Sequence, residues 1–173
     1  MKRSCARHGF SASCMKKIQL LLILFICSIS FTSFISCSSS HDDDDFYIED
    51  GADVSIVAGC GIHNSGCNES RHDGIHTFHV GKNANVRYEE KHYGEGNGTG
   101  GKVLNPVTNI YVGENSVFTL DTAQIKGVDS TVRETMVEME KDAKLYVTER
   151  LMTEGEQTAE SNIEVRLNVE DSC

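Results

Sequence analysis

Apolar and polar side chains alternate along several stretches of the chain after residue 45. In the clearest of them, Ile163, Val165 and Leu167 are separated by single polar residues. A period of two is typical of a β-strand with one buried and one exposed face. Beyond the first 45 residues, no long run places apolar residues three and four apart, as an amphipathic helix requires. The pattern therefore predicts an all-β domain.

A short motif returns at a nearly constant interval along this domain: an apolar residue, two mostly polar residues, a small turn residue, and then Ala, Ser or Cys. Its copies begin at Ile48, Val80, Val112, Met139 and Val169, with separations of 32, 32, 27 and 30 residues. Such self-similarity indicates a stacked architecture, and strand periodicity within each repeat favours a parallel β-helix. Gly, Asn and Asp in the turns supply left-handed backbone conformations. Because the fifth copy reaches Cys173 inside its turn, the β-helix is predicted to be incomplete at its C-terminus.

The first 45 residues differ from the rest, which divides the chain into residues 1–45 and 46–173. Two lysines precede an apolar run at residues 18–26, as in a secretory signal that starts at Met15. Cys37 then ends a stretch similar to a bacterial lipoprotein cleavage site. This makes Cys37 a candidate for lipidation, with the acidic run 42–45 as a tether. Two alternatives stay open: a membrane-spanning helix over residues 18–36, and an unrelated segment joined to the domain by a fragmented reading frame.

Net charge and cysteine usage narrow the class of protein. With 16 Lys and Arg against 26 Asp and Glu, the net charge is −10, the opposite of what a sequence-independent nucleic-acid binder needs. Of the 7 cysteines, only Cys60, Cys67 and Cys173 lie in the domain. Three thiols cannot all pair within one chain, so reduced thiols or a metal site are favoured over a disulfide framework.

Two cysteines and five histidines fall between Cys60 and His92. The candidate metal ligands among them are Cys60, His63, Cys67, His72 and His76. Thiolate and imidazole suit zinc, copper or iron, although this spacing matches no standard zinc module. In the strand predicted at residues 75–80, His76 shares a face with Phe78, whereas His79 points the other way, so the ligands cannot all converge on one ion. The alternative is a loop and first coil with polar histidines and structural thiols.

Two further features have simpler interpretations. Gly96 to Lys102 fits the glycine and lysine positions of a phosphate-binding loop, but Val103 stands where Ser or Thr would bind magnesium. A strand rather than a helix follows, so residues 94–101 are predicted to form a flexible connection between coils. The acidic pairs are predicted to keep the outer face of the domain hydrated.

Several segments of residues 46–173 together resemble the core of the SufB/SufD family of iron–sulfur cluster assembly scaffold proteins. They are EDGADV (49–54), GCGIHNSGC (59–67), SRHDGIH (70–76), EKHYGEG (90–96), QIKGVDST (124–131) and TERLMT (148–153). The resemblance implies a right-handed parallel β-helix that pairs with a SufB/SufD-type paralogue or with itself. It also implies a cytoplasmic complex with an ABC-type ATPase, and an iron–sulfur cluster or its iron as the species that the complex assembles. In that family the ATPase contact and the best-established cluster ligands lie beyond the part that this chain matches.

The sequence accordingly predicts a non-catalytic scaffold subunit, or a fragment of one, of a SUF-type complex. Such a subunit acts by protein pairing and by presenting thiolate and imidazole ligands, with no turnover. An alternative from another class is an exported, lipid-anchored β-helix protein that binds an extracellular partner or a glycan. Metal-dependent hydrolysis is a third hypothesis, disfavoured because no general base is positioned beside the cysteines and histidines.

Overall fold

The computed structural model describes residues 31–37 and 43–168 of the chain. Every regular element in these ranges is a strand, and no helix there is long and apolar enough to cross a membrane. The predicted signal-like run at residues 18–26 and the turn of the fifth repeat at residues 169–173 lie outside the described ranges. The strands are β1 (Phe31–Cys37), β2 (Asp43–Ile48), β3 (Asp53–His63), β4 (Ser70–His72), β5 (Ile75–Val80), β6 (Asn85–Glu95), β7 (Lys102–Leu104), β8 (Val107–Val112), β9 (Val117–Lys126), β10 (Ser130–Met139), β11 (Lys144–Leu151) and β12 (Thr158–Leu167).

The strands form two sheets in which all neighbours are parallel. Sheet A has the order β1, β3, β6, β9, β11. Sheet B stacks β2, β5, β8 and β10, with β12 beside β10 and the short strands β4 and β7 stacked on the start of β10. Each coil crosses from sheet B to sheet A through a tight turn of four residues. The return connection is six residues long in the first, second and fourth coils and three residues, 127–129, in the third. The predicted all-β parallel β-helix is therefore confirmed.

Strand pairing also shows where the chain joins the β-helix. Strand β2 begins at Asp43 and pairs with β5, so the boundary predicted between residues 45 and 46 falls inside this strand. Strand β1 pairs with β3 at the edge of sheet A. The β-helix of the described residues therefore includes residues 31–37 and 43–45.

The register of sheet B gives the length of each coil. Phe46 pairs with Phe78, Phe78 with Ile110, Ile110 with Val137, and Val137 with Val165. The first three steps agree with the repeat predicted from the sequence. The last one does not, because Met139 pairs with Leu167. The residue of β12 that pairs with Met139 is therefore Leu167, two residues before the predicted start of the fifth copy at Val169. Val169 itself lies outside the described residues.

The tight turns repeat the same backbone conformation in every coil. Their fourth residue has a positive φ: 70° at Gly51, 56° at Asn83, 58° at Asn115 and 58° at Asp142. These residue types adopt the left-handed region at the least cost, as expected from the sequence. The inward residue that follows is small. Ser116 in the third turn accepts a hydrogen bond from the backbone N–H of Ala84 at 3.0 Å and donates one to the carbonyl of Gly81 at 2.7 Å, which ties the third turn to the second.

Replacing Asn115 by Ala is expected to lower the free energy of unfolding by about 1 kcal/mol, because Ala has a Cβ but no polar group to favour positive φ. Asn115→Gly is the matched control and should be close to neutral, since glycine adopts this conformation without steric cost. Urea unfolding followed by circular dichroism compares the two variants. Equal destabilisation by Ala and Gly would contradict a backbone origin.

The interior of the β-helix contains two apolar clusters. The larger lies next to the tight turns and includes Phe78, Tyr88 and Phe118, all fully buried. The smaller lies further from the turns and consists of Ile62, Leu104 and Val128. The inward positions between these two clusters carry polar and ionisable side chains.

Candidate metal centre

A buried polar cluster lies between the two apolar clusters and is built mainly on sheet A. In β6, Tyr88 belongs to the large apolar cluster, and the next two inward positions are Glu90 and His92. Pairing between strands places Cys60 of β3 on one side of His92 and Gln124 of β9 on the other. Each of these five side chains is at most 2% exposed. The same strand alternation that buries apolar residues near the turns therefore buries a thiol, a carboxylate, an imidazole and an amide here.

Glu90 is the buried anion of this cluster. Tyr88 Oη donates to Glu90 Oε1 at 3.0 Å, His76 Nδ1 lies 3.2 Å from the same oxygen, and Arg133 Nη1 donates to Oε2 at 3.4 Å. Burial by itself would raise the pKa of Glu90, but the facing His92 and His76 rings and the Arg133 guanidinium outweigh it. Together they hold the pKa of Glu90 well below its ordinary value. Burial and the Glu90 charge raise the pKa of Tyr88 well above its ordinary value, so Tyr88 remains a neutral donor.

Arg133 is the buried cation of the cluster, although it comes from the opposite sheet. Its Nη2 lies 2.5 Å from His92 Nδ1, and its Nε lies 3.0 Å from Glu149 Oε1. Glu149 belongs to the same row of paired residues as Glu90, with Thr122 between them. The guanidinium therefore lies between two carboxylates that are two coils apart.

The residues stacked beside Arg133 explain how its side chain reaches so far. Strand pairing places Pro106 next to Arg133, and Gly74 next to Pro106. Both residues are buried, and neither has a long side chain that would fill the interior. This leaves a path along which the Arg133 side chain extends from the fourth coil to Glu90 and His92 in the second.

Cys60, Glu90 and His92 can each offer one ligand atom to a metal ion, and these three atoms lie within 4.8 Å of one another. Thiolate, carboxylate and imidazole are ligands of zinc and iron. With metal–ligand bonds of about 2.0–2.3 Å, ligand atoms in a tetrahedral site lie roughly 3.3–3.8 Å apart. The donor set of this triad fits an ion of this class.

Three buried groups in this cluster lack the well-aligned hydrogen bonds that burial normally demands: the Gln124 amide, His92 Nε2 and Arg133 Nε, which is only an ion-pair contact of Glu149. Among the described residues, neither Oε1 nor Nε2 of Gln124 has a hydrogen-bond partner. His92 Nε2 also has no well-aligned hydrogen bond, although Glu90 Oε1 is only 3.2 Å away. Buried polar groups are nearly always satisfied, so these atoms mark the part of the interior where hydrogen bonding among the described residues is incomplete.

The structure brings together two of the predicted metal ligands. Cys60 belongs to the triad, and His76 contacts Glu90 from sheet B. As predicted, His76 shares the buried face of β5 with Phe78, while His79 points outward. On the outside, His79 stacks between two tyrosine rings of the neighbouring coils.

The remaining candidates lie elsewhere. His72 is buried in β4, whereas His63 ends β3 at the surface and Cys67 is exposed in the loop that follows. The structure therefore does not bring His63 or Cys67 to the buried triad. The lipidation candidate Cys37 ends β1, where its backbone pairs in register with Cys60.

Glu90 and Arg133 were not among the sequence-predicted site residues. The expectation that acidic pairs only hydrate the outer face is wrong for Glu90, whose neighbour Glu89 does face outward. Both residues could have been found from the alternation of buried and exposed positions along their strands. Glu90 faces the same side of β6 as Tyr88, and Arg133 faces the same side of β10 as Val137. A charged side chain that faces inward from such a strand indicates a buried partner, because the free energy of burying an unpaired charge is strongly unfavourable.

The glycine-rich segment is not the flexible connection predicted from its composition. The backbone N–H groups of Gly98 and Gly100 donate to the carbonyls of Asn64 and Gly66, at 2.9 and 3.2 Å. A Cβ atom at Gly100 would lie only 1.9 Å from the carbonyl oxygen of Asn68. The glycines are therefore needed for close packing against the preceding loop, and their N–H groups are already used and do not face a phosphate.

Comparison of this chain with protein-family models, with curated proteins and with solved structures finds no match.

Proposed function

We propose that this protein is a non-catalytic scaffold component of iron–sulfur cluster assembly, and that ferrous iron is the substrate held at its interior site. The observation that carries the proposal is the buried group of Cys60, Glu90 and His92. Thiolate and imidazole are good ligands for iron, and a carboxylate adds the negative charge that a divalent cation requires. Burial inside the β-helix also limits oxidation of the Cys60 thiol.

The partners follow from the family resemblance. The parallel β-helix is the fold that the resemblance to SufB/SufD proteins implies, and its stacked coils are suited to pairing with a second β-helix. We propose that this second β-helix is a SufB/SufD-type paralogue or another copy of the chain. An ABC-type ATPase in the cytoplasm completes the proposed complex.

Anaerobic titration with ferrous iron tests the proposed site. The wild-type protein is expected to retain about one iron per chain after desalting. Cys60→Ser should weaken iron binding by about a hundredfold or more, because changes outside the ligand shell alone cost 10–100-fold. Addition of sulfide should then produce visible absorption in the wild type only.

Cys67→Ser is the matched control, since Cys67 is an exposed cysteine of the same segment. It should bind iron as the wild type does. Equal iron retention by the Cys60→Ser protein would show that the buried thiol is not a ligand and would remove the basis of the proposal.

A further inference from the structure

The contact between Arg133 and His92 determines which nitrogen of the imidazole carries the proton. A guanidinium has only N–H donors and accepts no hydrogen bond. Since Arg133 Nη2 lies 2.5 Å from His92 Nδ1, Nδ1 must be the acceptor. The proton of the neutral ring then resides on Nε2, which faces Glu90 Oε1 at 3.2 Å.

In this arrangement His92 has no lone pair to offer a metal. The lone pair of Nδ1 is directed at Arg133, and Nε2 carries the proton. Coordination through Nδ1 would require the metal to take the place of the guanidinium. Coordination through Nε2 would move the proton to Nδ1, where it would face the N–H groups of Arg133. By either route, His92 can bind a metal only after Arg133 has moved away.

The positive charge of Arg133 means that the guanidinium must also leave Glu90 before a metal can bind there. Arg133 Nη1 contacts Glu90 Oε2 at 3.4 Å, so the carboxylate that would bind a divalent ion already has a cationic partner. A metal ion beside the guanidinium would bring two cations together in a site from which water is largely excluded, where their repulsion is strong. The two cations are therefore expected to compete for one place.

Glu149 gives the displaced arginine a second partner. Its Oε1 lies 3.0 Å from Arg133 Nε, and the side chain of Glu149 is 18% exposed, so it lies between the interior and the solvent. Because Arg133 contacts both carboxylates, it would keep Glu149 as a partner after leaving Glu90. The second carboxylate thus lowers the cost of opening the site.

We propose that Arg133 is a resident cation that occupies the metal position of this site, and that a divalent metal binds by displacing the guanidinium from Glu90 and His92 toward Glu149. This inference deepens the proposed function, on which it rests for the identity of the metal. It assigns Arg133 the role of a positioning residue that sets the affinity for the metal.

The first test uses the metal-free wild-type protein. Long-range nitrogen–proton NMR spectra of its histidines are expected to show His92 Nδ1 without a proton. A proton on Nδ1 would overturn the inference, because it is not compatible with a guanidinium at Nδ1. This measurement needs neither metal nor a variant.

The second test is titration with Co²⁺, followed by thiolate-to-cobalt absorption. Arg133→Met should bind Co²⁺ at least about tenfold more tightly than the wild type, since it removes the competing cation, whereas Glu149→Gln should bind about threefold more weakly, since it removes the second partner. Arg87→Met, at an exposed arginine paired with Glu89, is the control and should not change the affinity. The opposite signs expected for the two interior variants keep the test informative if Arg133→Met does not fold.

The outcomes separate this inference from the proposed function. If Co²⁺ binds through Cys60 but with the same affinity in the wild type, Arg133→Met and Glu149→Gln, displacement of Arg133 is refuted while the metal site stands. If neither Co²⁺ nor Fe²⁺ binds to the folded wild type or to folded Arg133→Met, both the metal site and the displacement are refuted.

Discussion

The Phe78→Ala variant is expected to lose about 3–5 kcal/mol of unfolding free energy, the largest effect of any single substitution considered for this protein. Phe78 is fully buried. Its ring lies 4.7 Å from Phe46 in the first coil, 4.7 Å from Tyr88 in its own, and 5.2 Å from Phe118 in the third, measured between centroids. Removing the ring leaves a cavity shared by three coils, and stacked coils depend on such contacts between neighbours.

Urea unfolding monitored by circular dichroism measures this effect. Thr77→Ala is the matched control, because Thr77 is the adjacent residue on the outward face of the same strand. A substitution there should change the free energy of unfolding by less than about 0.5 kcal/mol. Similar midpoints for the two variants would mean that the interior of the second coil is not packed as described.

The Glu90→Gln variant is expected to lower the free energy of unfolding by about 2–3 kcal/mol, because it removes one of the two carboxylates that compensate the buried Arg133 guanidinium. Arg133 would keep only Glu149 as a carboxylate partner. Adding Arg133→Met to Glu90→Gln should recover part of the loss, since the buried cation is then gone as well. Glu89→Gln is the control: Glu89 faces outward beside Arg87, and exposed pairs contribute less than about 1 kcal/mol.

The same variant should also change how stability depends on pH. Because the folded protein holds the pKa of Glu90 well below 4.5, the contribution of Glu90 is fully present above pH 4.5 and is lost as the pH falls through the lower, folded value. The difference in unfolding free energy between wild type and Glu90→Gln should therefore be largest near neutral pH and should shrink on acidification below pH 4.5. A difference independent of pH would show that Glu90 is not ionised in the folded protein.

The sequence was sufficient to predict the fold because two independent signals agree. The alternation of apolar and polar residues predicted the strands and their buried faces. The recurring turn residues, such as Asn83 and Asn115, predicted the length of the coils. The register of the last coil was not predictable in the same way. There the predicted repeat and the strand pairing differ by two residues, because Met139 pairs with Leu167 and not with Val169.

The candidate site was only partly predictable. Cys60 and His76 could be selected by residue type, because thiol and imidazole groups are uncommon and chemically distinctive. Glu90 and Arg133 could not, since charged side chains usually face solvent and nothing local to either residue shows that it has a partner. The two are 43 residues apart in sequence and lie on opposite sheets. Only the stacking of coils brings them into contact.

The Gly74, Pro106 and Arg133 positions have a consequence for the repeat as a whole. Although the coils are built from the same kinds of strand and turn, they are not interchangeable. Transplanting the third coil into the place of the fourth would put Pro106 where Arg133 stands. It would also shorten that layer by one residue, from 28 to 27. The order of near-identical modules therefore carries information of its own, and an engineered array of identical copies would keep the architecture while losing its internal chemistry.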